Sequence, residues 1–279
     1  MNTHGVAVWG LGKHACNRVL PALKSIKKIS IIGVFSRTNS IVKSYSDQLK
    51  CIGWSNSSDM LSNKEVDTVY ISTPIGVHFE LTSLSLNSGK NVWCEKPLTC
   101  SLEEAKSLID LAERKKLMLA ETFMFIHHPQ FKRIKKYVKD EEFGKLHSIV
   151  CRFGMPLLEN PGFRYNKDLG GGAFWDIASY NVAAVLELFP NQEVEVVFSE
   201  IKSKENFPVD TEGRAVLKFS KGVTAYLEWS IGVSYKNDID LWSENGSLYT
   251  DKIFSKPDDY QPVFCFRNKH GEVSFINGE

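Results

Sequence analysis

Over residues 1–122 the apolar positions switch back and forth between two spacings, and no other feature of the chain narrows its fold as far. Short β-rich runs at residues 6–9, 29–35, 68–71, 91–94 and 117–120 alternate with stretches of helical spacing. One helical stretch passes through Arg18, Leu20 and Leu23, and a polar segment leads to Tyr45 and Leu49. Another runs through Phe79, Leu81, Leu84 and Leu86 and stops at Gly89, a residue suited to the left-handed position after a helix. A last one covers residues 101–115. Strand-helix alternation of this kind predicts right-handed βαβ units and a doubly wound parallel sheet.

Beyond Phe123 the rhythm changes. A helix is predicted at 129–138, a strand at 146–153, a glycine-rich turn, then a helix over 175–188. Strand candidates follow one another at 194–202, 213–219, 223–231, 237–242, 247–250, 263–267 and 273–276. Ser220-Lys221-Gly222 and Glu244-Asn245-Gly246 separate some of them as hairpin turns would. The reading is an α/β domain over 1–122 followed by an α+β, largely antiparallel domain over 123–279. So few helices cover only one face of the second sheet. Its other face is expected to pair with a copy of itself, as a homodimer or homotetramer.

Composition removes several function classes. Lys and Arg number 34 against 33 Asp and Glu, a net charge of +1 that leaves no basic footprint for nucleic acid. No apolar stretch is long enough to cross a bilayer, and Met1-Asn2-Thr3-His4 runs into a strand pattern with no room for a signal peptide. The 6 cysteines (Cys16, Cys51, Cys94, Cys100, Cys151 and Cys265) include no C-x-x-C pair and no zinc spacing, so no metal site is predicted. Free thiols in a large core imply a reducing compartment, and the expected location is the cytoplasm.

Gly10-Leu11-Gly12-Lys13-His14-Ala15 follows the first strand and opens the first helix. There, glycine permits a tight turn and close backbone approach, and the helix N-terminus offers N–H groups to a pyrophosphate. This is the dinucleotide fingerprint of a Rossmann domain, where a plain tight turn is the alternative. The second strand ends Ser36-Arg37-Thr38, with no acid to hold the ribose 2′-OH of NAD. An Arg there accommodates a 2′-phosphate, so NADP(H) is expected over NAD(H).

Glu95-Lys96-Pro97 occupies the C-terminal tip of a predicted strand, where open α/β sheets place their ligands. A bare strand exit followed by proline is the other reading. Downstream, the run from Leu169 to Tyr180 turns through Gly170-Gly171-Gly172 into a helix that carries Asp176 and Tyr180 on one face. By themselves these two residues read equally as a helix-start acid and a packing tyrosine.

Together, the glycine loop, the Glu95-Lys96-Pro97 turn and the glycine-led helix with Asp176 and Tyr180 resemble the Gfo/Idh/MocA oxidoreductases. The resemblance extends to Ser72-Thr73-Pro74 with His78, to the run from Phe123 to Gln130, and to the stretch from Asp210 through Asn245-Gly246-Ser247-Leu248 to Phe254 and Pro257. That last stretch is similar to the nucleotide-sugar ketoreductase branch, which also has Tyr at the final motif position. The resemblance implies hydride transfer at a sugar hydroxyl or ketone, most directly reduction of a keto-sugar. Lys96 would hydrogen-bond the substrate oxygen and help position the nicotinamide of the cofactor. Tyr180 would pass the proton, with its pKa lowered by the lysine cation, and Asp176 would orient the substrate or the proton donor. Lys96 and Tyr180 are thus expected to converge on one substrate oxygen. Thr73, Pro74, His78 and Glu95 would join the glycine loop, Ser36, Arg37 and Thr38 at the cofactor. Trp175, Arg164 and His128 would form the substrate wall, with core or scaffold roles as the alternative for each.

Two departures accompany the resemblance. Ala178 replaces a usual glycine, and family members continue some tens of residues past the position of Gly278-Glu279. Aldose or trans-dihydrodiol dehydrogenation is the runner-up chemistry. A dinucleotide-sensing regulatory protein without catalysis is the alternative from another class.

Overall fold

The computed structural model describes residues 3–141 and 143–277. The expectations placed on Met1-Asn2 and on Gly278-Glu279 fall outside the described residues. The chain divides into two compact units, Met1–Thr122 and Phe123–Glu279.

The first unit is built on six strands: β1 (His4–Trp9), β2 (Ile29–Phe35), β3 (Ile52–Trp54), β4 (Thr68–Ile71), β5 (Asn91–Glu95) and β6 (Leu119–Thr122). Their order is β3-β2-β1-β4-β5-β6 and every pairing is parallel. Helices α1 (Leu20–Ser25), α2 (Asn39–Leu49), α3 (Ser57–Ser62), α4 (His78–Asn87) and α5 (Leu102–Lys115) complete the crossovers. Successive residues of β1 feed two separate cores. Val6 and Val8 pack with Leu20, Leu23 and Val34, while Ala7 and Trp9 pack with Val69, Ile71 and Leu108. A strand buried on both faces reads as a continuous apolar run, which is why 6–9 is so plain in the sequence. Helix α5 starts where Ser101 accepts the Glu104 N–H and ends on Lys116 in the left-handed region (φ 56°).

Strand β3 is absent from the sequence reading. It is three residues long, too short to show a period. Its presence explains Gly33, because a Cβ there would lie 2.4 Å from the Ile52 carbonyl oxygen and 2.5 Å from the Trp54 ring.

The second unit contains α6 (Pro129–Lys139), α7 (Ser179–Leu188) and eight strands. These are β7 (Leu146–Met155), β8 (Val194–Lys202), β9 (Glu212–Phe219), β10 (Thr224–Ile231), β11 (Lys236–Ser243), β12 (Gly246–Asp251), β13 (Val263–Asn268) and β14 (Val273–Asn277). They form one sheet in the order β14-β13-β12-β11-β7-β10-β9-β8, antiparallel except where β10 lies parallel to β7. Ala225, Leu227, Trp229 and Ile231 of β10 are buried, while Tyr226 and Glu228 face outward, the alternation of a one-sided sheet. Helix α7 is fastened to the sheet by buried Asn181, whose side-chain amide donates to the Glu228 carbonyl at 2.8 Å. Among the described residues, no helix is long and apolar enough to cross a membrane.

Both glycine turns lead into a widened helical turn before a regular helix. Ala15–Val19 precedes α1 and Phe174–Ala178 precedes α7, so the single helix expected over 175–188 is really two segments. Turns with i→i+5 bonding recur at functional sites.

Candidate active site

In the first unit the sheet order reverses direction at β1 and β4, and the predicted cofactor residues follow the C-terminal ends of β1, β2, β4 and β5. This is the switch point at which doubly wound sheets bind their ligands. Gly10 adopts φ 105° and donates its N–H to the Phe35 carbonyl at 2.8 Å, and a Cβ on it would lie 2.3 Å from the Ser72 carbonyl oxygen. The fold itself therefore requires this glycine. Gly12 is different: a Cβ there would meet no atom within 4 Å. Its missing side chain leaves backbone N–H groups open at the mouth, as close approach of a pyrophosphate demands. The hydroxyl of Thr73, whose methyl group borders Gly10, is buried and has no hydrogen-bond partner among the described residues. A dinucleotide fits both features. Leu11 is buried beneath the loop, Ser36 is half-buried, and Lys13, Arg37 and Thr38 are exposed.

The Lys96 turn is held from every side within this unit, and the Lys96–Pro97 peptide is cis. Thr122 donates to the Cys94 carbonyl at 3.1 Å, and the Leu98 N–H donates to Glu121 Oε1 at 2.8 Å. His78 is wholly buried, with Nδ1 2.9 Å from the Pro97 carbonyl oxygen and Nε2 3.0 Å from that of Thr73. Burial keeps His78 below its ordinary pKa, despite opposing pulls from the two carbonyls and Glu95. It therefore braces the Lys96 turn from behind and presents no surface to a ligand. Glu95 Oε1 accepts from His14 Nε2 at 3.1 Å and from the Tyr70 hydroxyl. Burial opposes ionisation of Glu95. Its hydrogen bonds to His14 and Tyr70 and the Lys96 charge prevail, so its carboxyl lies below the usual range. Burial, followed by the Glu95 carboxylate, pushes the Tyr70 hydroxyl well up, so it remains a donor.

In the second unit the turn before Asp176 has no room for side chains. A Cβ on Gly171 would come within 2.6–2.7 Å of the carbonyl oxygens of Phe163, Arg164 and Asn166, and one on Gly172 (φ 120°) would lie 2.2 Å from Asp210 Oδ1. Asp210 Oδ2 accepts the Phe174 N–H at 2.6 Å, which caps the segment carrying Asp176. Asp176 is buried and bonded to Arg164 Nε at 2.6 Å. Arg164 thus aims at the carboxylate and does not stand alone as a wall residue. The Tyr180 ring is enclosed by Phe123, Phe125, Phe153 and Phe254, with centroids 5.4–6.0 Å away, yet the residue stays half-buried. Trp175 is half-buried and edge-on to Phe174 at 4.9 Å. His128 caps α6 by accepting the Gln130 N–H at 3.1 Å.

Tyr70, Glu121 and Asp210 did not stand out in the sequence as site residues. Only Asp210 left a trace, as the start of a stretch that resembles the family. Asp210→Ala should cost about 1–2 kcal/mol by loss of the cap, read as a lower urea midpoint, and Asp210→Asn should cost less because it keeps an acceptor.

Comparison with known proteins agrees with this architecture. Residues 4–123 match the model described as an oxidoreductase family with an NAD-binding Rossmann fold, and residues 131–249 match the GFO/IDH/MocA C-terminal domain. The chain is 31% identical over 271 residues to a dTDP-3,4-didehydro-2,6-dideoxy-alpha-D-glucose 3-reductase of Actinomadura kijaniata, covering 97% of this chain and 81% of that protein. It is 28% identical to the enzyme of the same name from Saccharopolyspora spinosa over 95% of this chain and 79% of that one. The crystal structure of a 3-ketoreductase from Actinomadura kijaniata with NADP and TDP-benzene superposes with a TM-score of 0.94 at 29% identity, covering 99% of this chain and 84% of that one. With both halves matched in order and the glycine loop set at the switch point of a doubly wound sheet, this chain belongs to the Gfo/Idh/MocA family of oxidoreductases.

Proposed function

We propose that the protein reduces the ketone of a nucleotide-linked deoxysugar, using NADPH bound by Met1–Thr122 and a substrate held by Phe123–Glu279. The observation that carries the reading is the Lys96 turn, braced on all sides and set beside an open glycine loop with no acid after β2. The likeness to keto-sugar 3-reductases over nearly the whole chain supports the substrate class. The nicotinamide supplies the hydride. Lys96 donates a hydrogen bond to the carbonyl oxygen and polarises it, and Tyr180 delivers the proton that completes the alcohol. Asp176, fixed by Arg164, orients the sugar hydroxyls. The six cysteines are all free, which suits the reducing cytoplasm.

The test is NADPH consumption over a panel of nucleoside-diphosphate keto-sugars, free aldoses and small diols. Turnover confined to the nucleotide-linked ketones is expected. Turnover of free aldoses would overturn the substrate class, and tight NADPH binding without any turnover would favour a dinucleotide sensor.

The same reading includes a two-fold assembly through the uncovered sheet face. Across that face run Glu200, Arg214, Glu228 and Arg152, directly opposite one another on successive strands and alternating in sign, with buried Asp238 paired to Arg152 at the end of the row. Beside them lies a row of Phe198, Val216, Tyr226 and Val150, with Phe198 and Tyr226 exposed. A second copy shifted by one strand sets each charge against its opposite and covers the apolar row. Light scattering should return a dimer or a pair of dimers, and Tyr226→Glu should shift it to monomer. A parent protein that is monomeric at micromolar concentration would contradict the assembly.

A further inference from the structure

We infer that His14 is a positioning residue for Lys96, linking the seating of the dinucleotide's pyrophosphate to the placement of the catalytic lysine. The inference rests on the dinucleotide reading above. A glycine loop binds phosphate through backbone N–H groups and has no need of an imidazole. Here the imidazole nevertheless leaves the loop to meet a carboxylate, with His14 Nε2 3.1 Å from Glu95 Oε1. The same oxygen accepts the Tyr70 hydroxyl. The Glu95 side chain is only 14% exposed, so it has little access to water that could replace a lost partner.

The three residues belong to neighbouring parts of one sheet. His14 follows β1, Tyr70 lies in β4 and Glu95 ends β5, with β4 between the other two. One carboxylate oxygen therefore ties together the ends of three adjacent strands. Glu95 is joined by a peptide bond to Lys96, so a rotation of its side chain is felt by the backbone from which the lysine extends. Other braces on this turn, from Thr122, Glu121 and His78, come from β6 and α4. The Glu95 side chain hydrogen-bonds directly to a residue of the glycine loop. A loop that settles onto a pyrophosphate moves His14 Nε2, and with it the anchor of the Lys96 turn.

The test separates binding from coupling with 2′-phospho-ADP-ribose, which carries the pyrophosphate and lacks the nicotinamide. Acylation of the Lys96 amine in the full-length protein is followed by mass spectrometry with and without this probe. Binding should change the Lys96 labelling rate in the parent, and the change should vanish in His14→Ala when each protein is saturated with the probe. His14→Gln, whose amide nitrogen reaches the same position, should restore the response, whereas His14→Leu, which fills similar space without a donor, should not. Tyr70→Phe loosens the same oxygen and should weaken the response, giving a second variant should His14→Ala fold poorly. At saturating NADPH, the single-turnover rate of His14→Ala should fall by about ten-fold to a hundred-fold, the worth of one hydrogen bond to a charged group. Probe binding that leaves parent Lys96 labelling unchanged overturns the coupling alone, as does a His14→Ala defect confined to affinity. Failure of the parent to bind the probe overturns the dinucleotide reading and the coupling with it.

Discussion

Tyr180→Phe is expected to lower kcat by about a hundred-fold to ten-thousand-fold, the range for loss of a general acid, with NADPH affinity unchanged. The substitution is conservative in packing. Four phenylalanines surround the ring, and Phe at position 180 keeps every one of those contacts. The ring packing therefore survives the substitution, and an unchanged thermal midpoint would document that. Lys96→Met should be at least as damaging, because it removes the cation proposed to polarise the ketone. It also removes a positive charge that helps hold the Glu95 carboxyl down and that opposes the burial-driven rise of the Glu121 carboxyl. Steady-state kinetics on the preferred keto-sugar decide the matter. A Tyr180→Phe enzyme that kept most of its kcat would remove Tyr180 from the mechanism.

Arg37→Ala should shrink the preference for NADPH over NADH by about ten-fold to a hundred-fold, the worth of a charge-assisted phosphate contact of roughly 1.5–3 kcal/mol. Arg37 is exposed after β2, so it costs the fold little to lose. NADH affinity should barely move, since NADH has no 2′-phosphate for the guanidinium to meet. Titrating both nucleotides against parent and variant measures the change directly. Equal affinities for the two nucleotides in the parent would defeat the assignment, whatever the variant did.

Much of the architecture was legible because its signals are local. Buried parallel strands such as β1 and β4 show as unbroken apolar runs, and β10 shows its one-sided burial as strict alternation. Gly10 and Gly172 were visible as turn residues, and the strand-tip placement of Lys96 followed from the end of a β-rich run. In each case the residue's own neighbours in sequence carry the physics. The extra strand β3 escaped because three residues cannot establish a period.

What the chain order could not decide is which distant groups meet. The parallel placement of β10 beside β7, within an otherwise antiparallel sheet, depends on which strand edges remain open as the sheet assembles. His14 finds Glu95 across 81 positions, and Asp210 caps Phe174 across 36. Arg164 turns to Asp176 because the glycine turn folds the two segments together. His78 was expected among the residues lining the cofactor site and is instead wholly buried, since a ring whose two nitrogens both face backbone carbonyls is buried by the contacts it makes. Composition and periodicity determine where strands and helices form. The partners that hold a lysine or an aspartate in place are chosen by burial and by the hydrogen bonds that buried polar groups must find, and those exist only once the sheet has closed around them.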